Sequence, residues 1–133
     1  MLYLLDTNTA SFVIKANVPR VRQRLSRLPM HQAAISAVTE GELRFGIARR
    51  PEATQLKTIV EQFLAVTEIL PWDSGAAKAY SYLRAALERS GTPMGNLDLM
   101  IAAHAISVGA VLVSNDQVFR TIKHLRVEDW SKA

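Results

Sequence analysis

The 133 residues contain no cysteine, which rules out disulfides and thiolate metal sites and suits a reducing interior. Six glycines are present but form no glycine-rich phosphate loop, which sets aside kinases and dinucleotide-dependent dehydrogenases. His31, His104 and His124 are far apart, without metal-ligand spacing. His104 reads as a core residue on an apolar helix, and His124 as a surface residue in a basic segment. Ser114 precedes Asn115 and Asp116 with no histidine at a triad-like position, which speaks against serine hydrolysis. Long apolar runs are missing too. The stretch from Leu99 to Val113 is interrupted by His104, Ser107 and Gly109 and falls short of the roughly 20 residues of a membrane span. Asp6 cuts short the apolar start, so no secretory leader is expected. These absences lead us to expect a cytoplasmic protein without a membrane segment.

Hydrophobic residues make up 49% of the chain and charged ones 21%, a globular composition. The expected unit is a single domain over residues 1–133. The net charge is +4 and the sequence pI about 9.8, a modest basic excess that suits a polyanionic partner. Basic residues cluster at Arg20, Arg22, Arg24 and Arg27, at Arg44, Arg49 and Arg50, and at Arg120, Lys123 and Arg126.

Short β-type runs occur at Leu2–Leu5, Ala33–Ser36, Glu68–Trp72 and Ala110–Ser114, with a weaker one at Arg126–Trp130. Helical patterns fill the intervals. Ala10–Ala16 and Val18–Leu28 are separated by Asn17 and Pro19, a helix break. Thr39–Arg50 opens with Thr-x-x-Glu and stops before Pro51. Leu56, Ile59, Val60 and Phe63 follow the i, i+3, i+4, i+7 pattern of an amphipathic helix. Asp73 and Ser74 read as caps of a helix reaching Arg89, and Asn96 opens an apolar helix ending near Gly109. Strands alternating with helices imply βαβ crossovers and an α/β fold with a mostly parallel sheet. Trp72 and Trp130 read as packing anchors.

Four acids stand at the joints of this scheme. Asp6 ends the first strand, Glu42 lies early in the helix after the second, Asp98 sits in the first turn of the apolar helix, and Asp116 follows the fourth strand. Each has a local explanation. Glu42 completes a capping box with Thr39, Asp98 complements a helix dipole, and Asp6 and Asp116 cap whatever follows. A joint explanation is also open. Open parallel sheets collect function beyond the carboxyl ends of their strands, and four acids gathered there repel one another unless a hard cation such as Mg²⁺ or Mn²⁺ joins them. Such a site orients water for phosphodiester hydrolysis. Glu40, Glu128 and Asp129 read as exposed surface residues and Asp73 as a cap. A phosphoacceptor aspartate of the haloacid-dehalogenase type calls for Asp-x-Asp, and Asn8 stands at the second position.

The stretches LLDTN (4–8), TEGELRFG (39–46), NLDLMIAAHA (96–105), LVSNDQVF (112–119) and LRVEDW (125–130) resemble, in order, motifs of the PIN-domain ribonucleases, most closely the VapC-type toxins of bacterial toxin–antitoxin pairs. The resemblance spans essentially the whole chain. It implies a PIN-like fold, a central, mostly parallel five-stranded sheet flanked by helices, and an Mg²⁺- or Mn²⁺-dependent endoribonuclease that cleaves RNA, often tRNA, and so blocks translation. Asp6 and Asp98 would be the main metal ligands, Glu42 would position the attacking water, and Asp116 would support a second metal. The implied partners are a second copy of the chain, a cognate antitoxin, and operator DNA bound through that antitoxin. Arg44, close to Glu42, becomes a candidate RNA contact. The alternative is a catalytically silent module that only binds antitoxin and DNA. The presence of acids at all four positions speaks against it.

Overall fold

The computed structural model describes residues 1–132, the side chain of Met30 excepted; of the expected 1–133 span, Ala133 lies outside. Its five strands are β1 (Tyr3–Leu5), β2 (Ala33–Ser36), β3 (Glu68–Leu70), β4 (Val111–Val113) and β5 (Val127–Glu128). They form one sheet in the order β3-β2-β1-β4-β5. Every pairing is parallel, where the sequence led us to expect a mostly parallel sheet. The helices are α1 (Thr7–Lys15), α2 (Pro19–Ser26), α3 (Ala37–Ala48), α4 (Thr54–Val66), α5 (Ser74–Arg89) and α6 (Asn96–Val108). The chain builds outward from β1 through β2 to β3, then crosses back to lay β4 against the other side of β1. The ends of β1 and β4 therefore flank the point where the winding reverses, the usual place for a site in such sheets.

Strand residues alternate between two apolar layers, as the two-residue period requires. Leu5, Ile35 and Val113 face a layer completed by Val13, Leu43, Val60 and Trp130. Leu4, Ala34 and Leu112 face a layer built on Ile101, Ala102, Ala105 and Phe119. The helix α6 is the most deeply buried, with Leu99 and Ile101 through Ala105 all inside. Its alanines let it lie close to the sheet. Trp130 is sandwiched: its ring is tilted against Tyr3 at 5.5 Å and carries the Arg24 guanidinium at 5.3 Å. The indole N–H of Trp72 donates to the carbonyl of Met100 at 3.0 Å.

Several helix ends depart from the sequence reading, α2 being trimmed to Pro19–Ser26 and α3 stopping at Ala48, and three helix starts are capped differently. α1 begins at Thr7 rather than Ala10, because the Asp6 side chain caps it. α3 begins at Ala37 with Ser36 as its cap, the hydroxyl accepting the Val38 N–H at 3.1 Å. The Thr39–Glu42 capping box is therefore absent, and Glu42 lies one turn deeper in the helix. At α6 the cap is Gly95, and Asn96 is already helical. Gly109 ends α6 at φ 67°, the left-handed conformation that glycine adopts without steric cost.

Gly46 lies inside α3, and a Cβ built there meets nothing within 4 Å. Glycine in a helix interior costs about 1 kcal/mol relative to alanine. We expect Gly46→Ala to raise unfolding stability by about 0.5–1 kcal/mol in urea titrations; a loss of stability would show that the helix needs glycine there.

Candidate active site

Asp6 is the residue around which the site is built. It follows the last residue of the central strand and is only 4% exposed. Its Oδ1 accepts the Thr9 N–H at 2.8 Å, capping α1. The Thr9 hydroxyl donates to the Val113 carbonyl at 3.0 Å, and the Asp6 N–H donates to the same oxygen at 3.0 Å. The turn out of β1 is thus tied to the end of β4. Burial lifts the Asp6 carboxyl above the ordinary carboxylate range. Hydrogen bonds from Ser114 and Thr9 oppose that lift, and the nearby charge of Asp116 adds to it.

The other three acids converge on this point. Asp98, in the first turn of α6, is half-buried and takes no hydrogen bond from the protein among the described residues. Its carboxyl is raised first by burial, then by the charges of Asp116, Asp6 and Glu42. Glu42 is half-buried on α3, its Oε1 accepting the Thr7 hydroxyl at 2.6 Å. The Thr7 oxygen also lies 3.2 Å from the Thr39 hydroxyl. Asp116 is exposed beyond β4 and caps the short 3₁₀ turn Gln117–Thr121, its Oδ1 accepting the Val118 N–H at 3.0 Å. Asp6 and Asp116 therefore cap local structure and face the other acids at once, so the two explanations open from the sequence are compatible for them.

Of four hydroxyl residues near the acids, Thr7 and Thr9 have no assignment in the sequence, Thr39 is read there only as part of a capping box, and Ser114 only as a serine without a triad. The Asp-x-x-Thr spacing of Asp6 and Thr9 is a cap signal that could have found one of them. Ser114 is buried and accepts the Asp116 N–H at 3.0 Å. Its hydroxyl thus meets the backbone of Asp116 and the side chain of Asp6.

Several candidates lie elsewhere. Arg44 is exposed, but its guanidinium is engaged by Glu40 at 3.0 Å and by Glu61 of α4 at 3.3 Å. Glu40 is half-buried in that pair, not free on the surface. Glu128 is likewise not a free surface acid, since it accepts from Arg24 at 3.1 Å and from the Trp130 indole at 3.0 Å. Asp129 is also half-buried, its Oδ1 taking the Ser131 N–H at 2.9 Å. His104 is in the core, its Nδ1 2.8 Å from the Ser36 hydroxyl, and burial keeps its pKa below the usual histidine range. Asp73 caps α5, as the sequence suggested, and His124 is exposed.

The donor set suits a hard cation. None of the four acids has a Lys or Arg ion-pair partner among the described residues, and their charges act on one another without an opposing positive group. Glu42 has one oxygen without a protein hydrogen bond and Asp98 has two. As the side chains stand, no three acidic or histidine groups among the described residues are placed to hold a metal ion together.

The chain belongs to the PIN-domain family, whose model matches residues 3–125. Its relatives include VapC-type ribonucleases. It is 39% identical over 129 residues to the tRNA(fMet)-specific endonuclease VapC of Salmonella typhimurium, covering 96% of this chain and 97% of that protein. It is 34% identical to ribonuclease VapC2 of Rickettsia felis, covering 99% and 100%. Among solved structures, the DNA-bound VapBC of Salmonella typhimurium matches with a TM-score of 0.90, 39% identity and coverage of 98% and 99%. VapBC2 of Rickettsia felis bound to a promoter DNA fragment matches at 0.89, with 32% identity and coverage of 96% and 98%.

The raised Asp98 carboxyl has a consequence for metal-free stability. A carboxyl held above its ordinary 3.8 in the folded chain keeps its proton to higher pH folded than unfolded. Stability therefore falls as pH rises between the two values, and the full cost persists at neutral pH. In EDTA, Asp98→Asn should be more stable than the parent at pH 7, and the gap should close toward pH 4. Urea titrations at several pH values test this; a pH-independent difference would mean that charge repulsion is not its source.

Proposed function

We propose that the chain is a divalent-metal-dependent endoribonuclease, the toxin of a VapBC-type pair, whose cleavage of RNA inhibits translation. The observation that carries this reading is the grouping of Asp6, Glu42, Asp98 and Asp116 where the sheet winding reverses, with Asp98 raised by burial and then by the other three charges and no cationic side chain paired to any of them among the described residues. The names of the VapC relatives support a ribonuclease. The tRNA(fMet) specificity stated for the Salmonella protein supports tRNA as the substrate class.

Asp6 and Asp98 would hold the ion, with Asp116 closing the open side. Mg²⁺ or Mn²⁺, when bound, supplies the positive charge that offsets the acids and stabilises charge developing on the scissile phosphate. Glu42, kept in place by Thr7, orients the attacking water and takes its proton as the new phosphorus–oxygen bond forms and an ester oxygen leaves. Hydrogen bonds from Thr9 and Ser114 favour the ionised form of Asp6 against the opposing effect of its burial. The reading includes a homodimer, and a cognate antitoxin that carries the pair to operator DNA; the relatives solved as VapBC complexes on DNA support the antitoxin and the DNA.

The test is antitoxin-free protein incubated with total cellular RNA in Mg²⁺, Mn²⁺ or EDTA, with RNA ends mapped by sequencing. Discrete metal-dependent cuts are expected, reduced about a hundredfold or more by Asp6→Asn or Asp98→Asn. Asparagine remains a good helix cap, so Asp6→Asn spares α1. Folded, inhibitor-free protein that never cuts RNA would leave the silent binding module as the better reading.

Glu42 gives a separate check. Thr7→Val removes the hydroxyl that orients it and should lower turnover about tenfold, the scale of one lost hydrogen bond to a charged group, while Thr7→Ser should retain activity. Equal loss in both variants would mean that the Thr7 methyl, not its hydroxyl, is what the site needs.

A further inference from the structure

Beside the acids, a groove of about 980 Å³ runs along α3, with Thr7 and Glu42 among the residues that line it. Its lining is mixed. Ile14 and Val60 give it an apolar floor, and Lys15, Arg49 and Arg50 also border it. All three cations are exposed, and none has an ion-pair partner among the described residues. Arg44, the cation favoured by the sequence, is held away by Glu40 and Glu61.

On α3, Glu42, Phe45 and Arg49 are spaced i, i+3 and i+7, which places them on one face. Phe45 is 63% exposed, unusual for a large apolar side chain that lines a groove. The Arg49 guanidinium lies 5.5 Å from its ring centroid. An exposed aromatic flanked by cations is how proteins bind unpaired nucleotides, by stacking on the ring and charge on the backbone. Glu42 and Arg49 lie roughly 10 Å apart along the helix, enough for about two or three stacked nucleotides.

We propose that this groove is the entry path for single-stranded RNA, one unpaired base stacking on Phe45 while neighbouring phosphates meet Lys15, Arg49 and Arg50. The assignment rests on the ribonuclease reading and adds to it a substrate form: a loop or single strand, presented so that the next phosphates reach the acids. Duplex RNA, whose bases are already stacked and paired, has no base to offer the ring.

The experiment measures binding without cleavage. A labelled, mixed-sequence RNA strand of about ten nucleotides is titrated with the full chain in EDTA, with fluorescence anisotropy followed over a salt series and a duplex of equal length as control. Phe45→Ala should weaken single-strand binding about tenfold, the lower range of one lost stacking contact. Phe45→Trp should retain affinity, and Phe45→Leu should be as weak as alanine. Replacing Lys15, Arg49 and Arg50 together by Gln should reduce the slope of log affinity against log salt by about two. Circular dichroism establishes that each variant is folded.

Full affinity in Phe45→Leu, an unchanged salt slope, equal affinity for duplex, or no RNA binding by the parent would each overturn the proposal. So would loss of antitoxin capture in Phe45→Ala with RNA binding intact, which would give the groove to a protein partner. If RNA binds as expected but is never cut in metal, the ribonuclease reading fails while the binding path stands. If RNA is cut but Phe45 is irrelevant to binding, the path fails and the ribonuclease reading stands.

Discussion

A carboxylate with almost no solvent exposure, Asp6, sits at the end of the strand in the middle of the sheet. Removing such a group from water costs several kcal/mol unless hydrogen bonds or charge compensate. The surrounding structure supplies the hydrogen bonds. Thr9 provides a backbone N–H, Ser114 a hydroxyl, and α1 grows from the cap that Asp6 forms. Compensation is incomplete, since the carboxyl still lies above its ordinary range and Asp116 adds to the repulsion. An apolar residue would pack at the end of β1 without this cost. The arrangement is coherent if the missing positive charge comes from a ligand, and the ends of β4, α3 and α6 are all positioned toward that need.

How much of this was readable in advance differs between strands, acids and hydroxyls. Ala33–Ser36 is a short apolar run between polar segments, and β2 occupies those residues. The other strands are trimmed by a residue or more at their ends, where pairing stops before the apolar run does. The four acids were legible because each marks a strand end or helix start, and chain direction in a parallel sheet decides which side those ends share. Side-chain partners that cross elements were not legible. Glu42 suggested a local capping box with Thr39, but Ser36 takes the cap and Glu42 instead meets Thr7, 35 residues away in sequence. The direction of Arg44 depends on how α4 packs, because Glu61 lies on that helix. No spacing rule along one segment encodes either contact.

His104 shows how the core serves the site. It lies on α6 and touches Ser36, the cap of α3. The Ser36 oxygen already accepts the Val38 N–H, so its proton is free for the imidazole Nδ1. A buried histidine with a lowered pKa remains neutral near pH 7 and keeps an acceptor nitrogen for that proton. The bond links the helix carrying Asp98 to the start of the helix carrying Glu42. The helices that carry two of the four acids are thereby joined by a polar contact inside the core.

Helix direction then arranges charge on a larger scale. Asp6 caps the start of α1 and Asp98 lies in the first turn of α6, where a helix presents partial positive charge and an acid is favoured by about 0.3–1 kcal/mol. Lys15 lies in the last turn of α1 and Arg49 caps the end of α3, where the dipole favours a cation. In α1 both placements occur on one helix, an acid at its start and a base at its end, and each helps the fold on its own. A polyanion approaching such a surface is repelled by the acids unless a cation is present, and is attracted by the basic ends whether or not one is bound. On the proposed reading, binding of the backbone and charging of the site with metal are therefore separable, with α1 and α3 spanning the distance between the two ends.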